Sequence, residues 1–385
     1  LTGGSGVDTF NVTGNNADVL LADGLDGNDI FNIQADTLAT LSGGARNDTF
    51  NIEASSSATL SGDADADTFA VQEGFSATSI NGGSGLDTLA ALGNAGTDNI
   101  WSITGTNTGT LDQGSGSLQA FSGLESLQGD GSVDIFAFIN TGNMSGGIDG
   151  AAGANLLDYS GAAAAVTINL NSSTATGVGT TFTNIDGALG SGADDQLIGN
   201  AAGSTWTVGT DITDSNVDGF AFDDIATLTG GSGADTFDFV ANNTDVLVVS
   251  GGSGNDTFNL RAATIAALSG EGGTDTLAFF SGGIAGSVDG GAAADLLDYS
   301  GAGGSVTVNL NNSTATGLGG SFVNTEAILG NGAQSQLIGN AAGSTWTVGT
   351  DITDSNLDGF AFDDIATLTG GSGADTFDFV ANNTD

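Results

Sequence analysis

The 385-residue chain contains no cysteine, no proline and no histidine, and its 46 acidic residues face only two cations, Arg46 and Arg261. Each absence excludes something. Without cysteine, disulfides are not what holds the chain together. Without His, Cys or Lys, the usual nucleophiles, general bases and transition-metal ligands are missing, so an enzyme is not expected. A formal net charge of −44 repels phosphate, which makes nucleic acid and anionic membrane poor partners. No apolar run approaches the roughly 20 residues of a membrane helix, so membrane insertion is not expected, and any export signal is expected outside these residues. What remains for chemistry is carboxylate, hydroxyl and backbone carbonyl, hard oxygen donors suited to calcium.

What is present is a repeated phrase: a glycine-rich turn that ends in Asp and often continues Thr-Phe. The anchors are Asp8, Asp29, Asp48, Asp67 and Asp87, then Asp134 and Asn155, then Asp235, Asp256, Asp275 and Asp295, and finally Asp375. A period near twenty residues is too short for paired helices and fits one coil of a β-solenoid. A longer period lies over it. Leu156-Leu157-Asp158-Tyr159-Ser160 returns as Leu296-Leu297-Asp298-Tyr299-Ser300, and 196–245 equals 336–385 except that Val217 becomes Leu357. The expected organisation is one continuous solenoid with a divergent unit at 1–140, a unit of seven coils at 141–280, and at 281–385 a truncated copy of 141–245. Because the chain begins and stops in mid-repeat, it reads as a piece of something longer.

Within a coil the apolar positions alternate, which is the period of a strand. Phe10 and Val12, Phe31 and Ile33, Phe50 and Ile52, and Phe237 and Phe239 should face in, with Thr9, Asn11, Thr49 and Asn51 facing out. The fold expected is all-β: a parallel β-solenoid, β-helix- or β-roll-like, with about 20 residues per coil and roughly 19 coils in an elongated rod. Phe10, Phe31, Phe50 and Phe69 should form one internal ladder. Between Asn155 and Asp235, and between Asp295 and Asp375, the turn signal weakens, and the solenoid is expected to run on as four coils with plainer turns, one ending at Asp194 and its counterpart at Gln334. Trp101, Trp206 and Trp346 are read as fillers of wide coils, with a carbohydrate-stacking platform as the alternative.

The turns Gly3-Gly4-Ser5-Gly6-Val7-Asp8, Gly82-Gly83-Ser84-Gly85-Leu86-Asp87, Gly230-Gly231-Ser232-Gly233-Ala234-Asp235, Gly251-Gly252-Ser253-Gly254-Asn255-Asp256 and Gly370-Gly371-Ser372-Gly373-Ala374-Asp375 resemble the GGxGxDxUx nonapeptide of the RTX family of secreted calcium-binding β-roll proteins. The resemblance implies that turn carbonyls and the Asp carboxylates of adjacent coils hold Ca2+. Carried over residue by residue, the metal ligands implied are Asp8, Asp26, Asp29, Asp48, Asp67, Asp87, Asp235, Asp256, Asp275 and Asp375. Here the motif occurs once per coil, not in immediate tandem, and Arg46 stands where the third glycine of its turn belongs. The other chemistry open to these aspartates is to cap their turns by accepting backbone N–H groups.

Longer segments, such as Leu156 to Gly177, resemble repetitive regions of giant bacterial surface and adhesin-like proteins. The resulting expectation is a structural, calcium-stabilised repeat of a large secreted protein at the cell surface or in the extracellular matrix, acting as stalk, filament or matrix component, with self-association end to end or laterally. Two alternatives stand beside it. One is a polysaccharide-active β-helix enzyme using Asp223/Asp224 or Asp194/Asp195. The other is an ice- or glycan-binding surface, whose threonine ladder Thr9, Thr49, Thr68, Thr88 is interrupted by Ile30.

Overall fold

The computed structural model describes residues 1–93, 97–114 and 118–381, apart from the side chains at 16–19 and 333. Among these residues there is no helix, and the strands lie in long, mostly parallel sheets, a β-solenoid-like fold. By compactness the chain divides into Leu1–Ala193 and Asp194–Asp385.

In the first unit, strands Thr9–Val12, Ile30–Ile33, Thr49–Ile52, Thr68–Gln72 and Thr88–Leu92 are parallel neighbours. Alternation sends Phe and Ile inward and Asn outward. Phe10 pairs with Phe31 and Phe31 with Phe50, one coil apart in each case. Their rings stack with centroids 4.7 and 4.6 Å apart, and Phe50 meets Phe69 at 4.7 Å. The expected ladder is therefore present. On the outer face Asn51 donates to Asn32 and Asn32 to Asn11, each at 2.8 Å, so the polar positions are also tied step to step. The opposing sheet runs through Thr37–Ala45, Thr59–Ala64 and Ser79–Ser84 and stacks Leu41, Leu60 and Ile80, all buried.

The steps do not stay at one short coil. Ile80 pairs with Phe121 and Leu89 with Leu127, each about twice as far along the chain as the steps before it. The extra residues form an antiparallel meander of Asn99–Gly105, Thr108–Asp112 and Leu118–Ser122. The meander's two reversals cancel, so Leu118–Ser122 lies parallel to Ser79–Ser84 and Asn99–Gly105 parallel to Asp134–Phe138. The stack absorbs the insertion without changing its sense.

In the second unit Phe237, Phe258, Leu277 and Leu297 form one buried column, and Leu228, Val249, Leu268 and Val288 the opposing one. These regular steps are followed by markedly longer ones, from Leu297 to Ile328 and from Val288 to Phe322. Here the expectation of plain twenty-residue coils needs correction. The weak-turn stretches carry antiparallel excursions: Val306–Asn309 with Thr314–Ala315, and Thr205–Val208 with Asn216–Val217 and Phe220–Asp223. The Leu-Leu-Asp-Tyr-Ser repeat anchors the first kind. Tyr299 stacks on Phe279 at 4.5 Å and donates its hydroxyl to Thr316 O at 2.8 Å; Tyr159 does the same with Phe138 and Thr176 O in the first unit.

The tryptophans open the meanders. Trp101, Trp206 and Trp346 are fully buried and stack on Phe136, Phe237 and Phe377 at 5.6, 5.3 and 5.2 Å. Buried in this way, they have no face to offer a sugar. Arg261 donates from Nε to Asp238 Oδ1 at 2.7 Å and lies 4.1 Å from the Phe280 ring centroid, bracing successive steps from outside.

Phe50 has a stacked ring on either side. Phe50→Ala should destabilise its stack by about 3–5 kcal/mol. Because each step touches only its neighbours, hydrogen exchange should rise around residues 30–70 and stay unchanged beyond residue 194. Uniform loss of protection along the chain would contradict this account.

Candidate functional site

Each glycine-rich turn bends the strand so that its last residue, Asp, points inward instead of out to solvent. Asp29, Asp48, Asp67, Asp87, Asp235, Asp256, Asp275 and Asp295 are all buried. One oxygen of each has a fixed task. Asp8 N donates to Asp29 Oδ1, Asp29 N to Asp48 Oδ1 and Asp48 N to Asp67 Oδ1, all at 2.7 Å, and Asp67 N to Asp87 Oδ1 at 2.8 Å. The second unit repeats this from Asp235 through Asp256 and Asp275 to Asp295 at 2.7, 2.7 and 2.8 Å. Where these two ladders end at a lengthened step, a Glu takes over: Glu125 accepts from Asp87 N and Glu326 from Asp295 N.

The other oxygen divides the anchors into two groups. In Asp8 and Asp235, which begin their ladders, Oδ2 accepts an N–H of the anchor's own turn, from Gly4 and Gly231, each at 2.7 Å. In Asp29, Asp48, Asp67, Asp87, Asp256, Asp275 and Asp295, Oδ2 is buried and has no hydrogen-bond partner among the described residues. A buried carboxylate oxygen left in this state is unfavourable by several kcal/mol at the order-of-magnitude level.

What surrounds it is also acceptor. A Cβ added to Gly24 would collide with both Asp29 Oδ2 and Gly43 O, and one added to Gly270 with both Asp275 Oδ2 and Gly290 O. Carboxylate and carbonyl oxygens converge on the first glycine of the turn, where only that glycine's Cα hydrogen lies and no N–H or O–H donor reaches the carboxylate oxygen. Asn155 shows what the spot accepts. There the amide Nδ2 donates to Gly150 O and Asn184 O, both at 2.9 Å. The Asp rungs lack that donor and call for a proton or a cation in its place. The donor set is the hard-oxygen kind that suits calcium.

The carboxyl protonation follows. Burial is the leading cause and pushes Asp67 up to about 7, and Asp48, Asp87 and Asp256 up to about 6, from 3.8. The N–H of the preceding anchor works the other way, and the charge of adjacent acids adds to the rise. Asp235, Asp275 and Asp295 shift upward for the same first reason.

The ten residues expected from sequence fall into three places. Asp8, Asp29, Asp48, Asp67 and Asp87 share one ladder, and Asp235, Asp256 and Asp275 another. Asp26 lies apart on the exposed edge, paired with Arg46 at 3.1 Å. Asp375 is half-buried and accepts from Ser344 N instead of joining a carboxylate ladder. Asp295 belongs to the set and was signalled by its turn, Gly290 to Asp295. Asp134 is an anchor of another kind, its carboxylate filled by Asn99, Trp101 and the Asp130 N–H. At the plainer turn the inward residue is Asp195, not Asp194, and its copy is Ser335, not Gln334.

On the surface Asp223, Asp224 and Asp245 bring carboxylate oxygens within 4.8 Å of one another. The pair was legible in sequence; Asp245 enters through the step of about one coil that separates it. In the copy, the third member, Asp385, lies outside the described residues. No protein-family model matches the chain, and no curated protein matches it.

The raised carboxyls tie stability to pH. Folded groups hold protons more tightly than unfolded ones, so the stability they contribute is fully present below 3.8 and lost as pH rises through about 6 to 7. In chelator the melting temperature should fall between about pH 5 and pH 7.5. A melting temperature that climbs over this range would show that the ladder does not hold protons.

Proposed function

We propose that the chain is a calcium-braced β-solenoid spacer of a large extracellular bacterial surface or fibre protein, RTX-like in its turns, with coils of about 20 residues in its glycine-rich stretches. The observation that carries this reading is the row of buried Oδ2 atoms that have no N–H or O–H partner and lie beside carbonyl oxygens at the first glycine of their turns. Like charges one strand spacing apart repel by about 1 kcal/mol per pair even in water, and a divalent cation converts that repulsion into attraction. The remaining composition agrees. With 46 acids and two cations, the folded chain needs positive charge from its medium. Extracellular modules commonly bind calcium at about 10⁻⁴–10⁻³ M, a level that switches folding on outside the cell.

A mechanical role is favoured over a binding cleft because the near-identical long copies extend length without elaborating any one place. The residues that would hold the ion are Asp29, Asp48, Asp67 and Asp87 in the first unit and Asp256, Asp275 and Asp295 in the second, with carbonyls of the adjoining turns. Calcium would supply charge neutralisation and cross-bracing there. The chain's part is to place the oxygens and to keep water out with the flanking Phe and Leu columns.

Chelation at neutral pH should reduce the β-sheet circular dichroism signal and the melting temperature, and millimolar calcium should restore both. Spectra and melting curves indifferent to chelator would remove calcium from the account.

A further inference from the structure

The two long copies place different side chains at one rung: Asn155 in the first, Asp295 in the second. Their surroundings match. The first glycine of the turn is Gly150 or Gly290, the facing carbonyl belongs to Asn184 or Asn324, and the next acid along the ladder is Asp186 or Glu326, which accepts the rung's own N–H at 2.8 or 3.0 Å. A Cβ on Gly150 would meet Asn184 O and the Asn155 amide; one on Gly290 would meet Asn324 O and Asp295 Oδ2. At the rung side chain itself the difference is one atom, nitrogen or oxygen; around it Ala151, Gly153 and Asp186 stand where the second copy has Gly291, Ala293 and Glu326.

That atom has opposite consequences. Asn155 Nδ2 donates to both carbonyls, Gly150 O and Asn184 O, while Asn155 Oδ1 accepts Asp134 N at 2.9 Å, so the buried side chain is fully satisfied. Asp295 keeps the second contact, accepting Asp275 N at 2.8 Å, but its Oδ2 is buried and unpartnered. We propose that Asn155 is a built-in ion-free rung, its amide standing where the equivalent Asp295 rung takes a divalent cation. This rests on the reading of the Asp rungs as calcium-holding. It assigns the first unit a closure near residues 129–160 that persists without calcium, beside turns at 24–87 that depend on it.

The test exchanges the two residues in the full chain, as Asp295→Asn and Asn155→Asp, each nearly isosteric. Asp295→Asn should bind one calcium ion fewer per chain by titration calorimetry. In chelator at neutral pH the amides around Gly290–Asp295 should become at least tenfold better protected from exchange. Asn155→Asp should bind one ion more and lose protection around Gly150–Asn155 in chelator, with calcium restoring it. Unchanged calcium counts together with unchanged protection in both variants would overturn the inference. A parent chain that takes up no calcium removes the functional reading alone; the exchange measurements in chelator then decide whether the amide closes its rung.

Discussion

A buried carboxylate beneath most of the glycine-rich turns is the constraint on which the rest of the stack depends. Its Oδ1 accepts the backbone N–H of the preceding anchor, which fixes the register between successive coils. Charge-assisted bonds of this kind are short and strong, and here they recur from Asp29 to Asp87 and from Asp256 to Asp295. The same burial that strengthens them leaves the second oxygen among acceptors and raises the carboxyl pKa. Register and an unpartnered oxygen that calls for a proton or a cation are two results of one placement.

The turn residues follow from the same geometry. The first glycine is required because any Cβ would enter the space shared by the carboxylate and the next turn's carbonyl. In the turns within the ladders the fourth position takes a positive φ, which Gly254 supplies at 126° and which Arg46 and Asp65 adopt at 81° and 75°. Non-glycine residues held there are strained by about 1–2 kcal/mol each. On the exposed edge Arg46 also pairs with Asp26 and donates its own N–H to Asp65. The degenerate turns of the first unit thus keep the shape of the regular ones.

Opposing the electrostatic strain is a dry core two columns wide. Stacked Phe and Leu remove apolar area at each step at roughly 25 cal/mol per Å², and the energy accrues locally because each step buries its neighbour. Where the column changes direction or partner, a large side chain marks the place: Trp101, Trp206 and Trp346 at the meanders, Tyr159 and Tyr299 at the hairpins. Insertions are tolerated because they leave the parallel sense of the main stack unchanged.

The period-two alternation and the spacing of Phe10, Phe31, Phe50 and Phe69 were enough to determine strands, an all-β fold and an internal aromatic ladder, since both depend only on which way a side chain points along its own strand. The anchoring aspartates were legible for the same reason, as the residue that ends each turn. Tertiary structure alone decided which oxygen of each carboxylate is satisfied, that Asp26 stays on the exposed edge, and that Asp195 instead of Asp194 faces in. It also decided that the stretches after Asn155 and Asp295 fold as excursions and not as plain coils. These outcomes depend on atoms meeting across a whole coil, as Asp29 N meets Asp48 Oδ1, or across a coil and its insertion, as Ile80 meets Phe121. Where the repeat is interrupted, local periodicity carries no information about that register, because the pairing partner then lies beyond an insertion of unmarked length.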